Sequence, residues 1–510
     1  MPGGFPLSTN TNAELDALRN LLGETDDLNH AIAVMSWDQL VMMPDGGGTA
    51  RGHSMETVAK IQHDKFTSDE IGQLLDKLEG HAASLPEDDD DRCLIERTKY
   101  DWERARRIPS ELAGEMAGFE ATHFPVWLEA RKTRDYKIFA PSLQKAVDLQ
   151  MRLIDCFDPG EAPYDVLLEQ YQIGMTTNEV KELFDNVRAG LKPLIEQVAR
   201  KPDAVDDGPL SKTYDIDTQV ALCRELAQGM GTTDDAWRVD PTVHPFASRF
   251  ACTDIRLTTK YVEDDLAVSI GGVNHEFGHG LYERQISPDL ERTGLNGGAS
   301  LGLHESQSRT WENQVGRSQA YWEWAYPIYA KHFPEQAKKH DAVAIYRAMN
   351  KMFPSLIRTE SDQLTYGMHI ILRFEIEQEM INGTLLINDV RDSWNARMTD
   401  LLGVEVPDDT RGVLQDIHWA GAGIGYFSAY LIGNVISAQA WEQVEHDIPD
   451  IGDHFRKGEF GALRAWQKKH LHRHGSKYSP RATTEKFLVG PINHEPYVRY
   501  LTGRVNEFYS

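Results

Sequence analysis

Residues 275–279 read His-Glu-Phe-Gly-His, inside a stretch with the spacing of a helix. Two histidines four residues apart share one helical face, so His275 and His279 can aim two ring nitrogens at one Zn²⁺. Glu276 projects beside that face, where it can take a proton from a water that the metal activates. This is the outline of a zinc peptidase. In a chain with 19 histidines such a string can arise by accident, so the reading needs a third ligand. Catalytic zinc sites keep three protein ligands and leave the fourth position open. Glu305, 30 residues beyond His275 in Leu303-His304-Glu305-Ser306-Gln307-Ser308-Arg309, is the candidate. A helix, a turn-rich link over 288–302 and a returning helix would bring it back to the metal. The competing reading pairs Glu305 with Arg309 at i, i+4 on a solvated face.

These strings resemble the M32 metallocarboxypeptidases. His244-Pro245-Phe246 looks like the family's HPF motif, and Asp254-Ile255-Arg256-Leu257-Thr258 like its DxRxT. Gly412, Gln415, Asp416, His418 and Trp419 fit GxxQDxHW, followed by Gly425-Tyr426-Phe427. Ser36-Trp37-Asp38-Gln39 with Met43-Pro44 resembles the family's opening segment. One string departs: Ile357-Arg358-Thr359-Glu360-Ser361-Asp362 has Ser361 where IRxxAD usually has Ala. The resemblance runs from about residue 15 to the C-terminus.

The resemblance implies a zinc-dependent carboxypeptidase, with cobalt as a substitute metal, that removes single C-terminal residues from peptides with broad specificity. It implies a mostly helical fold split by a long groove, similar to angiotensin-converting enzyme and neurolysin, and a homodimer. Glu276 would be the general base. His418 and Tyr426 would stabilise the oxyanion. Arg358 would read the substrate carboxylate, for which a guanidinium is the best geometric match. Its competing reading is an ion pair with Glu360 or Asp362. His244 would support substrate binding. Asp254 and Arg256 would stand behind the ligands, with Asp254 accepting the second N–H of a zinc histidine.

Two other functions fit parts of the pattern. A related zinc oligopeptidase or dipeptidyl carboxypeptidase would share the metal residues and differ in how the groove ends. A di-iron carboxylate protein would use Glu276-x-x-His279 with Glu120-x-x-His123, but leaves His275 without work.

Composition excludes other classes. A net charge of −26 lacks the basic footprint of nucleic-acid binders. No stretch approaches the roughly 18 to 20 apolar residues that span a bilayer. Residues 1–6 lack a basic segment followed by an apolar core, so the chain reads as cytoplasmic. Cys93, Cys156, Cys223 and Cys252 are scattered without Cys-x-x-Cys, which argues against a disulfide framework or thiolate site. With no linker and no repeat, residues 1–510 read as a single catalytic domain. The acidic run 87–91 reads as a helix cap or a solvated loop. Apolar residues at three- and four-residue spacing predict helices over 12–22, 144–155, 177–200 and 364–382. Polar and apolar residues alternate over 252–262, which predicts a half-buried strand and a small sheet just before the metal helix.

Overall fold

Helices dominate, and about half of them begin where a short polar side chain satisfies free backbone N–H groups. The computed structural model describes residues 13–158, 162–488 and 490–510. The first helix spans Ala13–Val41, well beyond the predicted 12–22; Asn12 and residues 1–6 lie outside the described residues. Thr176 and Glu179 close a capping box on the helix Thr177–Ala199. The spacing over 144–155 belongs to a helix that starts earlier, Tyr136–Ile154, where Asp135 accepts from Lys137 N. The fourth expectation corresponds to Tyr366–Ile381. Within the acidic run, Asp89 caps Asp90–Arg107 by accepting from Asp91 N and Arg92 N.

Three short strands form the one sheet found among the described residues: β1 (Trp237–Pro241), β2 (Ala247–Ala251) and β3 (Asp254–Thr259), in the order β1-β3-β2. β3 lies inside the predicted strand. It pairs parallel to β1, with Trp237 opposite Ile255, and antiparallel to β2, with a bulge between Arg249 and Ala251. Ile255 and Leu257 point into the core, while Arg256 stacks on Trp37 at 4.6 Å and Phe250 at 4.5 Å. The Trp37 of the opening segment is thus fixed to the sheet.

Asp265 starts the helix Leu266–Gln285 by accepting from Ala267 N at 3.0 Å. Phe277, inside the H-E-F-G-H string, is fully buried between Trp237 and Trp311, which fixes the rotation of this helix and turns the histidines to the other side. Ser300 caps the returning helix Leu301–Arg309, which continues as a π-helix over Thr310–Val315. A contiguous apolar core includes residues from Leu15 to Tyr509. No described helix is long and apolar enough to cross a membrane.

Candidate active site

Two glycines let the elements bearing the candidate ligands touch. A Cβ on Gly278 would stand 2.3 Å from Gln307 O, and one on Gly433, in the helix Ser428–Asp447, would stand 2.6 Å from Glu305 Cγ. Glu305 is therefore clamped between two helices. Its Oε2 lies 3.7 Å from His275 Nε2 and 3.4 Å from His279 Nε2. All three donor atoms fall within 4.8 Å of one another, and no other cluster of three such groups occurs among the described residues. Glu120 and His123 take no part; His123 is buried with Nδ1 on Phe119 O.

The pair Glu305–Arg309 also forms, but buried: Arg309 Nε donates to Glu305 Oε1 at 2.6 Å. One oxygen thus faces Arg309 and the other faces the histidines. Burial would raise the Glu305 carboxyl, but Arg309 and both histidines override it and hold it far below the usual range.

The second ring nitrogens of the histidines go to groups that the motifs did not single out. His275 Nδ1 lies 2.8 Å from Glu312 Oε2, on the π-helix, and Glu312 also accepts from Arg309. Burial opposes ionisation of Glu312, yet Arg309 and His275 hold it down to about 2. His279 Nδ1 lies 2.6 Å from His304 Nδ1, and His304 Nε2 lies 2.7 Å from Glu283 Oε1. Arg249 then links Glu283, at 3.6 Å, to Glu291, at 2.7 Å. Asp254 serves neither histidine. Its carboxylate chelates Arg256 through two bonds of 3.0 Å, because alternation along β3 puts both on the same face.

This donor set fits a divalent cation. If each histidine donates from Nδ1, both Nε2 lone pairs and an ionised carboxylate oxygen converge with no proton between them, which is favourable only around positive charge. Beside them Glu276 is 4% exposed, and its Oε2 has no hydrogen-bond partner among the described residues. Burial pushes Glu276 up to about 7.

His418 and Tyr426 come together across a turn. Their rings lie 5.2 Å apart, Tyr426 packs edge-on to Tyr171 at 5.2 Å, and the Tyr430 hydroxyl lies 3.5 Å from His418 Nε2. Burial pushes His418 down to about 3, so the ring is neutral. Burial raises the Tyr426 hydroxyl, and the Glu305 charge adds to the effect, which keeps it a protonated donor.

Arg358 pairs with neither Glu360 nor Asp362. Its Nε and one Nη meet Asp416 Oδ1 at 2.9 and 2.8 Å, and its other Nη donates to the Tyr366 hydroxyl at 3.2 Å. Asp362 instead accepts from Phe353 N, Leu364 N and Thr365 N. Ser361, the departure from IRxxAD, donates its hydroxyl to Arg358 O at 2.7 Å, so the extra oxygen is satisfied locally. Asp416 also binds Arg373 Nε at 2.7 Å, giving two buried guanidiniums on one carboxylate. His244 is exposed in the β1–β2 connection.

A family model described as Carboxypeptidase Taq (M32) metallopeptidase matches residues 17–505. Thermostable carboxypeptidase 1 of Thermus thermophilus is 34% identical over 505 residues, 97% of this chain and 99% of the relative. The M32 carboxypeptidase from Deinococcus radiodurans R1 superposes with a TM-score of 0.93 at 33% identity, covering 98% of this chain and all of that one. Trypanosoma cruzi metallocarboxypeptidase 1 superposes with a TM-score of 0.91 at 30% identity, covering 97% and 99% of the two chains. Fold, donor set and likenesses define a metallopeptidase. The chain belongs to the M32 family, and it is a metallocarboxypeptidase.

Glu312, Glu283, Arg249 and Arg373 escaped the sequence reading. His304 adjoins Glu305 in one string and could have been found there. Glu312 and Glu283 carried no signal, since their roles depend on where helices cross.

Proposed function

We propose that this metallocarboxypeptidase uses zinc, replaceable by cobalt, held by His275, His279 and Glu305, and releases single C-terminal residues of many kinds from peptides. The observation that carries the reading is the convergence of three donor atoms, from His275, His279 and Glu305, beside the buried carboxyl of Glu276, whose Oε2 has no hydrogen-bond partner among the described residues. When bound, such an ion supplies Lewis acidity, polarising a carbonyl and making water nucleophilic near neutral pH.

Glu276 accepts the proton of the attacking water and passes it to the departing amine. Tyr426 and neutral His418 donate hydrogen bonds to the developing oxyanion. The cluster of Arg358, Arg373 and Asp416 has two positive charges against one negative, so a buried positive charge remains for a substrate carboxylate to neutralise. Arg358 has five N–H donors, of which three are engaged, and the other two are the ones offered to that carboxylate. His244, at the exposed β1–β2 connection, contacts the peptide; Asp254 and Arg256 keep the adjoining sheet in place. The same reading takes residues 1–510 as one catalytic domain with a substrate groove like that of angiotensin-converting enzyme and neurolysin, acting in the cytoplasm as a homodimer.

The test is to incubate the metal-loaded protein with one peptide as free acid and as C-terminal amide, with and without chelator, and to weigh the products. Stepwise loss of single residues from the free acid alone, abolished by chelator, is expected. Loss of dipeptides or internal cleavage would move the protein to the dipeptidyl carboxypeptidase or oligopeptidase class. Equal cleavage of acid and amide would refute the role of Arg358.

A further inference from the structure

Glu377 stands on the helix Tyr366–Ile381, outside every motif that the sequence offers, and is completely buried. Trp419 Nε1 donates to its Oε1 at 2.8 Å. The Tyr164 hydroxyl at 2.7 Å and Gly425 N at 2.9 Å donate to its Oε2. Trp419 follows His418 directly, and Gly425 immediately precedes Tyr426. One carboxyl group therefore holds both ends of the turn that carries the two proposed oxyanion donors.

The turn has little freedom to settle elsewhere. Gly425 lies at φ 98°, in the left-handed region, and a Cβ there would stand 2.9 Å from Leu167 O. A buried carboxyl is costly unless its hydrogen bonds are made, and burial pushes Glu377 up to about 7 despite its three donors. The nearby Arg373 offers no direct bond, since its guanidinium is spent on Asp416 and the His369 carbonyl.

We propose that Glu377 is a positioning residue for peptide hydrolysis, fixing His418 and Tyr426 by accepting from Trp419 and Gly425 on separate oxygens. This rests on the assignment of His418 and Tyr426 as transition-state donors. The indole and the backbone N–H can only donate, so both oxygens must accept. A glutamine of the same shape would set its NH₂ against one of those donors. The turn would shift while the apolar core stayed filled.

The experiment measures kcat, KM, metal content and thermal midpoint for full-length, metal-loaded Glu377→Gln, Tyr426→Phe and the double variant. Glu377→Gln is expected to lower kcat about 10- to 100-fold, the scale of an ångström-sized misplacement, with KM within about twofold and metal content unchanged. The double variant should lose less than the product of the two single losses, because part of the loss in Glu377→Gln is the misplacement of Tyr426 that Tyr426→Phe already removes. Tyr164→Phe, which removes one donor and keeps the carboxyl, should give a smaller loss of kcat of the same kind. It decides the matter if Glu377→Gln does not fold. Undiminished kcat in Glu377→Gln or, failing that variant, in Tyr164→Phe, while Tyr426→Phe is slow, overturns the inference alone. Losses that multiply in the double variant also overturn it. Full rates in both Glu377→Gln and Tyr426→Phe overturn the underlying assignment instead.

Discussion

His279 Nδ1 lies 2.6 Å from His304 Nδ1, and His304 Nε2 lies 2.7 Å from Glu283 Oε1. The neutral arrangement that satisfies all three groups gives Nε2–H of His304 to Glu283 and Nδ1–H of His279 to His304. The free Nε2 of His279 is then left facing Glu305. Removing such a partner typically costs 10- to 100-fold in metal affinity. His304→Ala should therefore weaken metal binding by about that factor while the fold persists, as read by competition with a chelating dye. Wild-type affinity in this variant would show that His304 does not orient the ligand.

Gly433 and Glu305 cannot both keep their places if a methyl group is added between them. A Cβ on residue 433 would stand 2.6 Å from Glu305 Cγ and 2.7 Å from its Cβ. Gly433→Ala should displace Glu305, lowering stability by about 1–3 kcal/mol, the usual cost of overpacking. It should weaken metal binding as well. Calorimetry and metal titration together check this; unchanged affinity would mean that the helices can separate freely.

Asp416 is the one carboxylate paired with two buried guanidiniums, so Asp416→Asn raises the excess of buried positive charge from one to two. Breaking a buried pair in this way costs about 3–5 kcal/mol. Burial would raise the Asp416 carboxyl, but Arg358 and Arg373 outweigh it and hold it far below the usual range. A depressed carboxylate stabilises the fold fully above its unfolded value, about 3.9, and loses that stabilisation as pH falls toward its folded value. The stability gap between wild type and Asp416→Asn should therefore be constant from pH 5 to 7 and shrink below about pH 4. Denaturant midpoints across this range measure it, and a gap independent of pH would argue against the ion pairs.

Glu276→Gln preserves shape and removes the base. It should retain metal and lower kcat by at least about 10²-fold, the lower end of general-base contributions. His275→Ala and Glu305→Ala should lose the metal as well. Turnover near the wild-type rate in Glu276→Gln would eliminate Glu276 as the proton acceptor.

The candidate metal cluster was legible in the sequence because it is local. Helical periodicity alone puts His275 and His279 on one face and Glu276 beside them, and Glu305 follows one turn-rich link later. The helices over 144–155, 177–200 and 364–382 and the strand inside 252–262 were legible for the same reason, since side-chain periods of 3.6 and 2 are written in neighbouring residues. Arg358, His418 and Tyr426 stood out only through motif likeness.

Tertiary structure decided which charges answer those residues. Arg358 faces Asp416, 58 residues away, instead of the adjacent Glu360 and Asp362. Glu312 and His304, not Asp254, meet His275 and His279. Glu377 reaches Trp419 and Gly425 across 42 and 48 residues. Such pairings depend on helix crossings, and these follow from where Gly278 and Gly433 permit contact and where Phe277 must be buried. A sequence fixes the period of each helix by itself, but which side chain waits across the crossing is settled only when the whole apolar core closes.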